Sequence, residues 1–409
     1  MPMPGYGRRY WAERTADNRR RSYPKFRGTH TADAVVIGGG LTGATAAYVL
    51  AQGGLDVMLV EAARIADGST AGGLGAILPQ PDAMFRAVEQ SAGKRVARTA
   101  WEIAQKSAAD FAKALGKLPT RSDVAESALV INARASEDAV ALRKEQTIRR
   151  SAGVVAPWLS ASPASQEIGT ESAGAIRLRD TFLFDPVRAT LSLAGAAQSR
   201  GAKIFEHSPV RRTRFTRKHA DVVLASGTIR TRGIVIATGE PGSLFGQLRR
   251  HVRRSDGYLV VTEPLSAAMR RDAGRRTSVL TEAGTTPHWL RWLPDDRALF
   301  AGAVSAPAPT RLREKALRQR TAQLMYELSV RYPSISGLQA GWGWDAPVVS
   351  TVDGLPWIGP HRNYPFHFFA MAFGWQGDGL AWHAARAALR YFQGAARRDD
   401  DVFGFVRHL

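Results

Sequence analysis

Hydrophobic positions in this chain come in short runs whose period changes from one stretch to the next. The apolar run Ala34-Val-Val-Ile37 is cut by Gly38-Gly-Gly-Leu-Thr-Gly43, and resumes as Leu55-Asp-Val-Met-Leu-Val60 before Glu61. This pattern predicts a strand, a glycine turn opening a helix, and a second strand. Further on, Ala97, Ala100, Trp101, Ala104, Ala108, Phe111, Ala112 and Leu115 recur at helical spacing, which predicts a helix from Ser91 to Leu115. A second helix is expected over Ser136–Ala152, and Asp185-Pro186 opens a third that runs to about Arg200. Gly201–Glu206 reads as a strand, and Val210–Phe215, Asp221–Ala225 and Thr228–Arg232 as a meander. Strands are also expected at Gly233–Gly239, Tyr258–Glu263, Thr286–Leu293 and Arg297–Val304, with helices at Leu312–Val330 and Leu380–Phe392. Residues 1–30 read as an irregular arm with packing points at Tyr10-Trp11 and Tyr23-Pro24. Gly68–Gly75 holds too many glycines for a regular element and reads as a loop laid against a ligand. No internal repeat or low-complexity linker separates these pieces, so two domains are expected to be interleaved.

The first of these segments carries chemistry. In a dinucleotide-binding turn Gly38 allows the tight bend, Gly40 lets backbone approach a pyrophosphate, and Gly43 lets the helix pack close to the strand. The helix beginning near Leu41 and Thr42 then offers unpaired N–H groups and a positive dipole end to the phosphates. Glu61 lies at the distance where an acid accepts hydrogen bonds from a ribose. Residues 34–55 carry no charge and are long enough to span a bilayer, but six glycines divide them into strand and helix lengths. A second GxGxxG is missing, and a C-terminal glycine turn, Gly374–Gly379, precedes a helix instead. One long ligand held at both ends accounts for that pairing, with its redox ring near Gly374, Gln376, Gly377, Asp378, Gly379 and Leu380. A helix N-terminus there would stabilise negative charge on a reduced ring.

Composition narrows the alternatives. The chain has 409 residues, an ordinary 44% apolar content and no cysteine, which excludes disulfides, thiolate metal sites, CxxC chemistry and a cysteinyl cofactor bond. No apolar stretch follows Arg8-Arg9 before the next arginines, so a secretory signal is not expected and a cytoplasmic protein is. The nine histidines show neither HxxxH nor HExxH spacing, and no Gly-x-Ser-x-Gly elbow occurs. The formal charge of +20 includes arginine clusters at 211–217, 249–254 and 270–276. Such a surface could meet an acidic partner protein, acidic headgroups or nucleic acid. Without a nucleic-acid-binding pattern, a solvated arginine-rich surface is the simpler reading and nucleic acid is not expected.

The ordered set Val36–Gly43, Val60-Glu61, Gly68–Gly73, Ile236-Ala-Thr-Gly239, Asp353-Gly-Leu-Pro356 and Gly374–Gly379 resembles the D-amino-acid oxidase superfamily of FAD-dependent oxidoreductases. Within it, Tyr10-Trp11 and Trp289–Gly302 are most similar to the gamma-glutamylputrescine oxidase and glycine or sarcosine oxidase-like branch. The resemblance implies an α/β fold, with a Rossmann-type FAD-binding domain and an interleaved antiparallel-sheet substrate domain. It also implies non-covalent FAD and oxidation of the C–N bond of an amine or amino acid by hydride transfer, giving an imine that hydrolyses. The electrons would pass to oxygen or another acceptor. Alternatives are a hydroxy-acid or polyol dehydrogenase, and a flavoprotein subunit that needs a partner. Segments 31–85, 153–245 and 345–409 are assigned to the FAD-binding domain, and 86–152 and 246–344 to the substrate domain.

Expected cofactor contacts are Gly38, Gly39, Gly40, Leu41, Thr42, Gly43, Glu61, Ser69, Thr70, Ala71, Gly72, Gly73, Val210, Thr238 and Gly239, together with the C-terminal turn. For the substrate side the candidates are His288, Arg291, Trp375 and Gln376. Strand alternation puts Trp289 and Arg291 on one face and His288 on the other, so all three cannot face one site. Arg291 could clamp a substrate carboxylate, or make a surface or domain-interface contact. A histidine in such a place is more often a satisfied structural one, and that is the favoured reading of His288. Sarcosine-type relatives carry a lysine and a histidine on the strand that reads Arg297–Val304 here. An ungapped placement puts Phe300 and Val304 at those positions, which leaves the electron acceptor open.

Overall fold

The computed structural model describes residues 5–15, 20–119, 122–284 and 287–408. Two sheets divide them. One has the strand order Trp357–His361, Tyr364–Met371, Gly227–Gly239, Gly28–Ile37, Val57–Val60, Lys203–Phe205, parallel at every step but the first, with Ala220–Leu224 and then Val210–Phe215 added antiparallel beside Gly227–Gly239. Val57–Val60 is a fully buried apolar strand, as expected where both faces of a parallel sheet are covered. The helices Leu41–Gln52, Pro186–Gln198 and Leu380–Phe392 pack together beside it, and the meander Val210–Phe215, Ala220–Leu224 and Gly227–Gly239 contributes Ala220, Val222 and Ile229 to the core on its other side. This is the Rossmann-type half of the expected fold.

The second sheet is largely antiparallel and runs Gly5–Tyr6, Ala340–Ser350, Arg253–Thr262, Ala298–Ser305, Trp289–Trp292, Val279–Glu282, Ala125–Ala133, Gly174–Leu183, Ala76–Ile77. Period-two alternation gives it two apolar faces. Tyr258 and Val260 pack with Phe300 beneath the helix Arg313–Arg331, whereas Leu259 and Val261 join Trp289 and Trp344 in the core shared with the cofactor half.

Several expectations change on contact with the structure. Gly174–Leu183 pairs antiparallel with Ala125–Ala133, and Ala340–Ser350 pairs with Arg253–Thr262. The pieces of 153–245 and 345–409 that contain these strands, assigned to the FAD-binding domain, therefore belong to the other sheet. Their partners are distant in sequence, so no local pattern marks where they pair. The helix expected from Ser91 is two helices, Phe85–Ala92 and Lys94–Gly116, parted at Gly93 with φ +88°. Among its described residues the arm carries two short regular elements. Gly5–Tyr6 lies parallel to Trp342–Gly343, and Tyr10 and Trp11 are buried in the helix Tyr10–Arg14. Residues 34–55 resolve into strand and helix, and no helix among the described residues is long and apolar enough to cross a membrane.

Asp185 caps its helix as read, accepting from the Val187 and Arg188 N–H groups at 3.0 Å with Pro186 in the first turn. The Asp353-Gly-Leu-Pro356 segment turns out to be a structural knot. Arg407 donates to both Asp353 oxygens (2.7 and 3.1 Å) and to the Leu355 and Pro356 carbonyls, and stacks on Trp357. Burial alone would raise the Asp353 carboxyl, but the Arg407 bonds and charge overcome it and hold it below its ordinary value. Removing one partner of such a pair strands the other charge. Arg407→Ala is therefore expected to cost about 3–5 kcal/mol, read as a lower midpoint in urea denaturation. An unchanged midpoint would contradict the assignment.

Candidate active site

Between the two sheets lies a cavity of about 420 Å³, walled by Gly38, Gly40, Leu41, Thr42, Glu61, the loop Gly68–Gly73, Val210, Thr238, Gly239, Ala346–Val349 and Phe373–Trp375 with Asp378. At one end the glycine turn makes a cradle that side chains cannot enter. Gly38 has φ +107°, and a Cβ on it would lie 2.5 Å from the Ala237 carbonyl oxygen. A Cβ on Gly43 would lie 1.8 Å from the Gly38 carbonyl oxygen, so helix and strand end touch backbone to backbone. The first turn of Leu41–Gln52 has no acid, and the Thr70 hydroxyl accepts from the Leu41 N–H at 2.9 Å. The Glu61 carboxylate accepts from the Gly39 N–H at 2.6 Å and the Ala63 N–H at 2.8 Å, which fixes it at the rim with lone pairs to spare.

The other end is set by two acids, Asp82, which carries no signal in the sequence, and Asp378, which is expected among the ring contacts. Asp82 accepts from the Gln376 N–H at 3.1 Å and lies so close that a Cβ on Gly374 would be 2.1 Å from its oxygen. Burial pushes the Asp82 carboxyl up to about 6 against the pull of the Trp375 and Gln376 amides. Asp378 faces the cavity, and burial pushes its carboxyl up to about 7. The Trp375 indole lies against Gly257 in the antiparallel sheet, where a Cβ would come within 2.3 Å of the ring.

The sequence-derived residues divide accordingly. Gly38, Gly40, Leu41, Thr42, Glu61, Ser69, Thr70, Gly72, Gly73, Val210, Thr238, Gly239, Gly374, Trp375 and Asp378 are brought together on the wall. Gly39 and Gly43 shape the cradle from behind it, and Ala71 is turned into the core. Gln376 is buried, and Gly377, Gly379 and Leu380 support the turn without reaching the wall.

Two candidates for the substrate side lie elsewhere. His288 is on the far face of its strand, stacked on Phe300 and held between Glu282 (2.8 Å) and Glu327 (2.6 Å). Arg331 also binds Glu282. Burial would raise that carboxyl, but the His288 and Arg331 bonds bring it down to about 2. Arg291 faces the interface as alternation requires, but its Nη1 donates to the Leu74 and Phe184 carbonyls at 2.9 Å and to Gly75, over the Trp11 ring. Both side chains are thus committed to the fold, and the domain-interface alternative for Arg291 is the one observed. Phe300 shares the far face with His288, so the ungapped comparison at Phe300 bears on that face and not on the cavity.

A model of the FAD-dependent oxidoreductase family matches residues 33–390. The chain belongs to that family. Relatives include gamma-glutamylputrescine oxidoreductase of Escherichia coli, 21% identical over 80% of this chain and 76% of its own length. Glycine oxidase of Bacillus licheniformis is 26% identical over 83% of this chain and 86% of its own length. Among solved structures, glycine oxidase from Geobacillus kaustophilus superposes with a TM-score of 0.77 at 19% identity, covering 93% of this chain and all of that one. FAD is accordingly the cofactor of this oxidoreductase. The cavity fits it, because a Cβ-free cradle at a helix N-terminus suits a pyrophosphate, and a rim carboxylate suits a ribose.

Two sets of variants test these placements. Gly43→Ala should yield protein without flavin. Glu61→Ala should retain FAD at least tenfold more weakly, on the scale of one charged hydrogen bond. Both are read as the flavin-to-protein absorbance ratio after gel filtration, and full flavin content in Glu61→Ala would contradict the site. Arg291→Lys should lower the melting temperature while leaving KM for any carboxylate substrate unchanged. A raised KM at wild-type stability would restore the substrate clamp.

Proposed function

We propose that the protein oxidises the C–N bond of an amine, giving an imine that water hydrolyses, with the redox ring of FAD held between the Gly72-Gly73 loop and the Gly374-Trp375 turn. The observation that carries the substrate class is the charge of the cavity wall. Among the described residues that wall it, the titratable side chains are Glu61, Glu240 and Asp378, all acids, and none is an arginine, lysine or histidine. An α-amino acid or hydroxy acid brings a carboxylate that calls for a basic partner, and Arg291 is buried off the wall with its Nη1 on backbone carbonyls. An amine without that carboxylate needs none. The names of the relatives, a gamma-glutamylputrescine oxidoreductase and a glycine oxidase, support C–N chemistry in general.

When bound, FAD supplies the acceptor for a hydride from the carbon next to nitrogen. The chain's own part is positioning. Trp375, seated on Gly257, and Pro347 bound the space beside the turn and keep water from it. Asp82 fixes the turn by holding the Gln376 amide, and Thr70 ties the flavin loop to the pyrophosphate cradle. The exposed arginines at 211, 212, 249 and 250 suit an acidic partner if the electrons leave to a protein.

The test is an anaerobic absorbance titration of the yellow protein with amines, amino acids and hydroxy acids. Bleaching by amines at the lowest concentrations is expected, and admission of oxygen then separates oxidase from dehydrogenase. Bleaching by hydroxy acids alone would overturn the reading, and a flavin that nothing bleaches would favour the partner-dependent subunit.

A further inference from the structure

Asp378 is an acid in a place where its charge would oppose the reaction. It lies in the short turn Gly377–Gly379 that leads into the closing helix Leu380–Phe392, faces the cavity, and abuts the loop Gly68–Gly73. A Cβ built on Gly73 would sit 3.8 Å from its Oδ2. No described residue hydrogen-bonds its carboxyl, in contrast to Asp82 and Glu61, which spend theirs on backbone N–H groups. A reduced ring gains negative charge, and the turn and helix start exist to temper it. An ionised carboxylate in the same turn would cancel that effect.

No described cationic side chain compensates such a charge, and the positive end of the helix Leu380–Phe392 is what the reduced ring itself would draw on. The strand Ala76–Ile77 brings none. The helix Lys94–Gly116 meets the turn through Ser107, whose hydroxyl donates to the Gly379 carbonyl, and carries Lys106 and Asp110 on its exposed side. In the closing helix His383 turns to Asp400, and behind the flavin loop Arg291 is taken by carbonyls. Asp82, the nearest acid of the neighbouring loop, is tied to the Trp375–Gln376 backbone.

We propose that Asp378 meets the bound redox ring as a neutral carboxylic acid that donates a hydrogen bond to it, so that its proton belongs to the redox equilibrium of the holoenzyme. This rests on the placement of the ring proposed above. Burial alone, with no charged neighbour contributing, raises the group to about 7 and supports a neutral resting form. Negative charge arriving on the ring raises it further. Below about pH 7 the acid is neutral in both redox states. Above it, reduction draws one extra proton onto Asp378.

The experiment is the midpoint potential of the FAD holoenzyme against pH from about 5.5 to 8.5, with Asp378→Asn and Asp82→Asn beside it. In the wild type the potential should fall more steeply above about pH 7. The extra slope is one proton per electron pair, a tenfold change in the equilibrium per pH unit or about 30 mV. Asp378→Asn should show no such break, and its oxidised visible spectrum should not titrate in this range. Asp82→Asn should keep the break. Identical slopes in wild type and Asp378→Asn, or a break lost in Asp82→Asn instead, would overturn the proposal. A flavin that no amine reduces would sink the substrate reading while leaving this one standing. A protein that binds no FAD would sink both.

Discussion

The loop from Gly68 to Gly75 is where the two halves of the molecule are tied, and the site depends on that tie. The Thr70 hydroxyl takes the Leu41 N–H of the cofactor helix. The Trp344 indole donates to the Gly72 carbonyl from the antiparallel sheet, and the Trp11 indole to the Gly73 carbonyl from the N-terminal arm. Arg291 closes the set on the Leu74 and Gly75 carbonyls. A glycine-rich segment cannot hold its own shape, so its backbone acceptors are satisfied from outside. One consequence is that a cavity wall built from small residues is rigid without a side chain to fill it.

Arg291 is the costly member of this arrangement. Burial pulls it down to about 10, and it stays charged at neutral pH with carbonyl dipoles rather than a carboxylate as hydrogen-bond partners. A fold keeps such a group where backbone carbonyls would otherwise be stranded, and the Trp11 ring beneath it adds a cation–π contact. The same commitment turns its Nη1 to the carbonyls, and the titratable side chains among the described residues of the cavity wall are acids.

Much of this was legible in the sequence, and the illegible part has a common cause. The cradle at Gly38–Gly43, the acid at Glu61 and the glycine turn at Gly374 each need particular residues at fixed local spacing, so they can be read from one stretch of chain. The split of His288 from Trp289 and Arg291 also follows from period two alone. Asp82 carries no such signature, because its partner amide lies 294 residues away. Nor does Ala346–Val349, which reaches the cavity only because Ala340–Ser350 pairs with Arg253–Thr262. For His288 and Arg291 the chemical and the structural alternatives stay open in the sequence for the same reason. Residue type suggested a role, and the partners that took each side chain were remote in sequence.

In the proposed arrangement one FAD lies extended between the sheets, adenosine at Glu61 and redox ring between Gly72-Gly73 and Trp375. A crystal structure of the yellow holoprotein tests it most directly. Cofactor density is expected along this cavity, with the ribose within hydrogen-bond distance of Glu61 and the ring against Gly73 and Asp378. Density for the ring on the His288 face of the antiparallel sheet, or a cavity without flavin in a yellow crystal, would contradict it.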